Sequence, residues 1–587
     1  MPSDDLQVTR RDACRYTLKG GRRMRKRWMK TAAVFLSMAM LLGGCADPTE
    51  TETKPQTETK AQTETKAETE TAAEGESKEA DEKTESTGTK TVTMAMTSAW
   101  DTLIPFNTTS ASSDAVIELI FDKLIVVKAD GSFGPRLAKE WSIDDETHTK
   151  ITFVLDENAK WHDGVPVTAD DVVFTAEVMA NPDINVVRRS KIAPFTGMVD
   201  GKRDESQEFG IKKIDDHTVE FTMIKATPLD YMLDIMFRDF YVIPKHLLEN
   251  VSAEDMLTCE FWKAPVGSGP CIYEDEIAGE RISFKANKEY HVQTPDFDRL
   301  MVKVVASSNL LSGLMNGEID LVAGGGTILS NNDWEMAGQQ ENLVTESVPS
   351  LSYSYMSVNT KRFPQEVRQA INMAINRDAL VNNLMRGEGI PAPGPLAPNH
   401  PYFNEELLPI PYDPETAKQM VIDSGFDVSK TYQLNITAGS ELIQKAAPML
   451  QQDLAKIGLN IEIISTDFAT LLSNARKGEY DFCIISSGGS PDPGESVMNV
   501  TPGHINNFSQ NEDPSLGEKG AEGLAAFTYE ERKPYYDEYQ MMLREQSPFI
   551  FLYLKNDLVA YNKRLSNIHF EDFSLLSRSV WEWKVED

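Results

Sequence analysis

The stretch "SSGGSPDP" combines side-chain hydroxyl groups, glycines without side chains and one carboxylate. Ser486 and Ser487 offer hydroxyl hydrogen bonds, Gly488 and Gly489 let a ligand approach the main chain closely, and Asp492 adds a carboxylate. Such groups hold a small molecule through reversible hydrogen bonds and do not by themselves transform it. The chemistry that this stretch predicts is therefore ligand binding.

Established catalytic signatures do not occur in the sequence. It contains no His-Glu-x-x-His, no Gly-x-Ser-x-Gly and no phosphate-binding Gly-Lys-Ser/Thr motif. The stretch "WHDG" around His162 attracts attention, but a His beside a structural Trp and before a turn is expected to stabilise that turn. His400 and His504 lack the spacing of metal ligands. We therefore predict no enzyme activity, no metal site and no cofactor.

The elements before the "SSGGSPDP" stretch alternate between strand and helix. Strands are predicted at Tyr432–Ala438, Leu459–Ile464 and Tyr480–Ser486, and the helices between them end at Gly458 and Gly478. The loops that connect these strands and helices are short, which implies right-handed crossovers and a parallel sheet. Ligands of open α/β sheets bind beyond the carboxyl ends of the strands, which is where the stretch lies.

Helix-capping patterns locate further elements. Thr168 followed by Asp171 predicts a capped helix start, and Asp413 before a proline starts another helix that ends at Gly425. Residues 365–385 place apolar side chains on one face and predict a single long helix.

The first residues have the organisation of an export signal. A basic segment precedes an apolar run from Ala32 to Leu42, which is too short to span a bilayer. Leu42-Gly43-Gly44-Cys45 resembles the lipobox of bacterial lipoproteins. That resemblance implies a signal peptide over residues 1–44, cleavage before Cys45 and lipid attachment to the Cys45 thiol. Met24 is an alternative start for this signal.

A polar segment then separates the lipid from the folded chain. Residues 46–90 contain no Val, Ile, Leu, Met or aromatic residue and repeat "TETK", so residues 45–90 are expected to form a disordered tether. The formal net charge of -33 argues against nucleic-acid binding, which needs basic side chains to neutralise phosphates. Cys259, Cys271 and Cys483 are too few for a disulfide framework, although the first two form a possible pair.

Blocks along the rest of the chain resemble the bacterial extracytoplasmic solute-binding proteins for peptides, nickel and related ligands. These blocks are "AKWHDGVPVTADDVVFTAEVM", "VGSGPCIYEDEIAGERISFKANKEY", "LMNGEIDLV", "VNTKRFPQEVRQAINMAINRDALV", "YDPETAKQMVIDSGF", "LQQDLAKIGLNIEI" and "GEYDFCIISSGGSPDP". They occur in the family's order between Thr91 and Ile568. Proteins of that family feed ATP-binding-cassette (ABC) importers.

The resemblance implies an α/β fold of two lobes that close on a ligand like a clam. It places lobe 1, enlarged by an extra subdomain, at 91–305, lobe 2 at 306–546, and a return to lobe 1 at 547–587. It also implies hinge strands near Val304 and Phe551.

The same resemblance implies three aromatic cleft walls, at Trp100, Tyr353 and Tyr355. The implied partners are a peptide or other small solute, an ABC permease with its ATPases, and the membrane through the lipid anchor. A monomer on the outer face of the cytoplasmic membrane of a Gram-positive bacterium is expected.

One departure from the family pattern concerns the ligand. Peptide-binding members usually carry an Asp that pairs with the peptide amine, often after a Gly-Trp; here those positions hold Gly489 and Ser486. Asp492 is a possible substitute, and a buried amine without a counter-charge is costly. The predicted ligand is a peptide or peptide-like molecule. The alternatives are a nickel chelate, an opine or a sugar-like ligand, a ligand sensor and, less favoured, an extracellular hydrolase.

Overall fold

The computed structural model describes residues 89–108, 110–128, 132–322, 329–569 and 576–586. The predicted signal peptide, Cys45 and residues 46–88 of the predicted tether lie outside these residues. All the described residues belong to one unit, Glu85–Asp587. Within them, no helix has the length and apolar composition needed to cross a membrane.

The first part of the chain is rich in strands. The strands are β1 Thr91–Met96, β2 Ile125–Val127, β3 Phe133–Pro135, β4 Ala138–Ile143, β5 Lys150–Leu155, β6 Met198–Val199, β7 Lys202–Arg203, β8 Ile211–Asp215, β9 Thr218–Thr222, β10 Cys271–Ile277, β11 Arg281–Ala286, β12 Arg299–Val304 and β13 Leu321–Val322. The helices are α1 Ala111–Ile120, α2 Ala169–Ala180, α3 Leu229–Met232, α4 Lys245–Leu248, α5 Leu310–Met315 and α6 Asn331–Ala337, with a π-helical turn at Leu233–Phe237.

The second part alternates strands and helices. The strands are β14 Leu343–Val358, β15 Gly389–Pro391, β16 Thr431–Thr437, β17 Asn460–Thr466, β18 Phe482–Ser487, β19 Phe549–Asn562, β20 Leu565–Ser566 and β21 Lys584–Val585. The helices are α7 Gln365–Ala374, α8 Arg377–Leu384, α9 Pro414–Asp423, α10 Glu441–Lys456, α11 Phe468–Lys477, α12 Gly494–Met498, α13 Ser515–Ala525 and α14 Tyr529–Gln546.

One sheet of eleven strands runs through the molecule, in the order β10-β11-β12-β1-β13-β19-β14-β18-β16-β17, with β15 beside β19. β16 pairs in parallel with both β17 and β18, as predicted, whereas β18 runs antiparallel to β14. A separate antiparallel sheet, β4-β5-β9-β8, belongs to the first part of the chain. The parallel strands therefore direct their carboxyl ends to one edge, where the "SSGGSPDP" stretch begins.

Buried apolar side chains form two sets of clusters, and these define two lobes. The clusters of lobe 1 contain residues between Val92 and Leu343 and between Val559 and Val585. Those of lobe 2 contain residues between Leu351 and Leu554. The α/β two-lobed fold is thus as predicted.

The chain passes between the lobes in the paired strands β14 and β19. Their antiparallel ladder is irregular between Pro349 and Tyr353, where a proline has no N–H to donate. The first crossing therefore lies in β14 and differs from the expected hinge near Val304. The predicted lobe boundary after residue 305 also differs, because α5, α6 and β13 pack with lobe 1. Phe551 lies in the second crossing strand, β19.

Local patterns explain the elements around the site. The Thr168 N–H donates to the Asp171 carboxylate at 2.8 Å, completing the predicted capping box of α2. The predicted single helix over 365–385 is wrong, because Ile375 is extended and Asn376 starts α8 as its N-cap. The Asn376 side chain accepts the Ala379 N–H at 2.9 Å. α11 runs from its N-cap at Asp467 to Gly478.

Candidate functional site

A small cavity lies beyond the carboxyl end of β18. It is lined by Tyr353, Pro395, Leu396, Ser487, Gly489, Ser490, Asp492, Pro493, Ser496 and Asn499. Four predicted ligand-binding residues, at 353, 487, 489 and 492, thus meet in one place. We call residues 487–493, which form one wall of this cavity, the ligand loop.

Gly489 fixes the approach of the ligand loop to strand β14. Its φ is +74°, a left-handed conformation that glycine adopts at little cost. A Cβ at this position would lie 2.6 Å from the carbonyl oxygen of Leu351. The glycine is therefore required by a close approach of two protein backbones, in addition to any approach of a ligand.

Ser486 and Gly488 are exposed and do not line the cavity. The Ser486 hydroxyl lies 2.7 Å from the hydroxyl of Ser354 on the neighbouring strand. The structure therefore brings Ser487, but not these two neighbours, to the cavity. Alternation of side chains along β18 explains the difference between the two serines.

The three predicted aromatic walls occupy three different environments. Tyr353 lines the cavity. Tyr355 is only 3% exposed, and its ring centroid lies 4.7 Å from that of Phe549 in the core of lobe 2. Trp100 lies in lobe 1, where its indole N–H donates to the Glu276 carboxylate at 2.7 Å. Neither Trp100 nor Tyr355 lines the cavity.

Asp492 is buried, and its carboxylate is engaged by Arg532 of α14. Arg532 Nη1 lies 2.7 Å from one carboxylate oxygen, and Nη2 donates to the other at 2.9 Å. Both side chains are 1% exposed. The charge of Asp492 is therefore compensated inside lobe 2, which the loop sequence alone does not reveal.

Arg532 is held from several sides. It donates to the hydroxyl oxygens of Tyr402 and Tyr536 at 3.2 and 2.9 Å, and its Nε donates to the Gly523 carbonyl at 3.0 Å. Burial opposes the charge of Arg532, but the nearby Asp492 carboxylate outweighs that effect and raises the arginine pKa. Sequence reasoning missed Arg532, because no motif links it to the loop.

His400 supports the same loop from another direction. Its Nε2 lies 2.9 Å from the Ser490 carbonyl oxygen, and its Nδ1 accepts the Tyr402 N–H at 3.0 Å. Nε2 is then the protonated donor of a neutral imidazole. Burial lowers the pKa of His400 to about 4, which keeps the ring neutral near pH 7. His400 is therefore a structural support of the ligand loop.

His162 is also structural. It accepts the Gly267 N–H at 3.2 Å and contacts the Gly269 carbonyl oxygen at 3.0 Å. Burial lowers its pKa to about 4. Among the residues that the structure describes, no three His, Cys, Asp or Glu side chains are grouped as metal ligands. Cys259, Cys271 and Cys483 are free thiols.

The ligand loop also contacts lobe 1. The carboxylate of Asp234, in the π-helical turn, accepts the hydroxyl of Ser490 and the Asp492 N–H, the latter at 3.2 Å. Tyr231 packs on Gly494, where a Cβ would lie 2.7 Å from its ring. The loop that forms one wall of the cavity therefore also contacts lobe 1.

Comparisons with known proteins agree with this architecture. Heme-binding protein A of Haemophilus influenzae is 26% identical over 467 residues, covering 75% of this chain and 82% of that protein. Probable di/tripeptide-binding protein 5 of Pseudomonas aeruginosa is 28% identical over 473 residues, covering 75% and 84%. The crystal structure of NikZ from Campylobacter jejuni in complex with Ni(L-His) has a TM-score of 0.68 at 24% identity, covering 84% and 99%.

A family profile matches residues 132–507, which is more than half of the sequence; it describes the bacterial extracellular solute-binding proteins, family 5. The relatives are substrate-binding proteins and not enzymes, in agreement with the predicted lack of catalysis. The chain therefore belongs to the family 5 extracellular solute-binding proteins, the solute-binding components of peptide and nickel ABC importers.

Proposed function

We propose that this protein captures a peptide or peptide-like ligand between its lobes and delivers it to the permease of an ABC importer. The observation that carries the proposal is the cavity where Tyr353, Ser487 and Gly489 meet, one wall of which is the loop that contacts lobe 1. An aromatic face, a hydroxyl and exposed backbone suit a ligand with amide groups and varied side chains. Relatives named for di- and tripeptides support the same class.

The charge of the cavity lining narrows the choice of ligand. Asp492 is the single acidic residue of the lining, and its charge is neutralised by Arg532. A peptide held here would bind chiefly through its amide groups and side chains, with its amine directed elsewhere.

That neutralised carboxylate also favours a second candidate, a ligand without a free amine, such as a metal chelate. A nickel chelate is the ligand in the NikZ complex, and heme is the ligand named for the Haemophilus relative. The lining offers no imidazole to such a ligand. A chelate would therefore be bound through its organic part.

Attachment to the membrane is part of the proposal. The lipobox-like stretch before Cys45 supports a lipid anchor, and the polar segment after it supports a tether. The protein would then work as a monomer on the outer face of the cytoplasmic membrane, beside its permease. Labelled fatty acid should be incorporated into the wild-type chain in cells but not into a Cys45→Ala variant.

Native mass spectrometry of the purified protein, followed by analysis of what unfolding releases, tests the ligand class. Short peptides among the released molecules are the expected result. Thermal shift with dipeptides and tripeptides, and separately with Ni(L-His), decides between the two candidates. Stabilisation by the chelate alone would overturn the peptide proposal.

A matched pair of variants tests the location. Ser487→Phe fills the cavity and should abolish the ligand-induced thermal shift. Ser486→Phe adds the same side chain one residue earlier, at an exposed position outside the cavity, and should retain the shift. Equal loss in both variants, or in neither, would contradict binding in this cavity.

A further inference from the structure

Asp234 of lobe 1 is completely buried against the ligand loop of lobe 2. Its side chain is 0% exposed. One carboxylate oxygen accepts both the Ser490 hydroxyl and the Asp492 N–H, and the other accepts from Arg238 at 2.9 Å. Two of its three donors therefore come from the other lobe.

Burying a carboxylate is costly unless it is paired and hydrogen-bonded. Burial raises the pKa of Asp234, although Arg238 acts in the opposite direction. Arg238 belongs to lobe 1 and stays beside Asp234 when the lobes separate. The donors at Ser490 and Asp492 do not, so their contribution exists only in the closed form.

The same two residues also fix the ligand loop from within lobe 2. The Ser490 carbonyl contacts His400, and the Asp492 carboxylate is held by Arg532. Asp234 provides the remaining support by accepting hydrogen bonds from the Ser490 hydroxyl and the Asp492 main-chain N–H. The geometry of the cavity wall is thus completed by a side chain from lobe 1.

Two neighbouring contacts join the lobes beside Asp234. Tyr231, three residues earlier, packs on Gly494, which directly follows the loop. The His148 ring of lobe 1 stacks on Phe527 of lobe 2, with centroids 3.9 Å apart and planes inclined by 8°. These contacts bring Asp234 and the loop together whenever the lobes close.

We propose that Asp234 is a positioning residue for ligand capture: its carboxylate holds the ligand loop in the cavity-forming conformation when the lobes close. Closure and loop geometry are then one event, because the hydrogen bonds that join the lobes are also those that order the cavity wall. A ligand that contacts the ordered loop thereby favours the closed form. This inference rests on the proposed function and adds a residue outside the cavity lining to it.

Hydrogen exchange of the full chain tests the inference without any ligand. The Asp492 amide is donated to Asp234, so peptides covering residues 488–494 should be protected in the wild type. Asp234→Asn removes the charge at nearly constant size and should lower this protection at least tenfold. Small-angle X-ray scattering of the same sample should show a larger radius of gyration.

Asp183→Asn is the control. Asp183 lies in the loop after α2 of lobe 1, its side chain is exposed, and it forms no ion pair with any residue that the structure describes. This variant should keep wild-type exchange and scattering. Ser490→Ala removes one donor from the side of lobe 2, keeps Asp234 intact, and should give an intermediate loss of protection. It keeps the test decisive if Asp234→Asn does not fold.

Two results would overturn the inference: a wild-type loop that exchanges like an unprotected peptide, or an Asp234→Asn loop as protected as the wild type. A general loss of stability would speed exchange in the strands of lobe 1 as well, whereas the positioning role predicts unchanged exchange there. The exchange measurement needs no ligand, so a negative result would reject the role of Asp234 without rejecting the proposed function. The proposed function is tested separately, by identifying the ligands that unfolding releases.

Discussion

Replacing Asp492 by alanine should destabilise lobe 2 strongly, because it leaves the Arg532 guanidinium buried without its counter-charge. The two side chains are each 1% exposed and are joined by contacts of 2.7 and 2.9 Å. The remaining partners of Arg532 are two tyrosine hydroxyls and a backbone carbonyl, which carry no charge. Removing Asp492 therefore leaves the cost of burying the charge unopposed.

The expected loss is about 3–5 kcal/mol of unfolding free energy, the usual cost of removing one partner from a buried ion pair. This is a large share of the roughly 5–15 kcal/mol that stabilises a folded protein. With a urea m-value of about 3 kcal/mol/M, the midpoint should fall by roughly 1–1.7 M.

Urea unfolding followed by circular dichroism measures this shift. Glu512→Ala is the control, because Glu512 pairs with Lys361 at 2.8 Å in an exposed salt bridge of the same lobe. Its loss should cost less than about 1 kcal/mol. A double variant, Asp492→Ala with Arg532→Leu, should recover part of the loss, because no unpaired charge remains buried.

A midpoint shift for Asp492→Ala no larger than that of Glu512→Ala would refute the buried-pair argument. So would a variant that keeps wild-type stability but no longer binds ligand. That second outcome would return Asp492 to the role of a direct ligand contact. Equal destabilisation by the double variant and by the sum of the single variants would refute the pairing itself.

Two further predictions concern the support of the same loop. Gly489→Ala should cost at least about 1 kcal/mol and displace the loop, because it strains a positive φ and meets the Leu351 carbonyl; Gly488→Ala, which meets nothing within 4 Å, should be nearly neutral in urea unfolding. Because the pKa of His400 in the folded state is lowered to about 4, its contribution to the free energy of unfolding is fully present above about pH 6.5 and is lost on acidification. Between about pH 7 and pH 5, the wild type should lose about 2 kcal/mol more unfolding free energy than His400→Gln; equal losses would contradict the argument.

Sequence patterns predicted the elements that depend on local rules. The strands β16, β17 and β18, the capping box at Thr168 and the glycine end of α11 all follow from side-chain period and backbone capping. The position of the ligand loop followed from the topology of parallel strands. These features need only neighbouring residues, so a single sequence suffices.

Other predictions failed where longer-range contacts decide. The apolar face of residues 365–385 continues across Ile375, so the pattern did not reveal the break that Asn376 makes by capping α8. The first lobe crossing was expected near Val304, but the following helices pack back on lobe 1 before β14 crosses. Tyr355 is the type of residue expected in the wall of a ligand cleft, yet its neighbours on the sheet bury it.

The ligand loop shows why the choice of ligand cannot be read from its motif alone. Its main chain and carboxylate are held by Arg532, His400 and Asp234, which lie 40, 90 and 256 residues away at their points of contact. From the sequence, Asp492 could have been a free counter-charge for a ligand amine. In the structure its carboxylate is buried and paired, because Arg532 on α14 reaches it. If residue 532 were not an arginine, the same eight-residue stretch would expose a negative charge to the cavity. Specificity in this protein is therefore set jointly by the loop and by the distant side chains that decide which of its groups remain available.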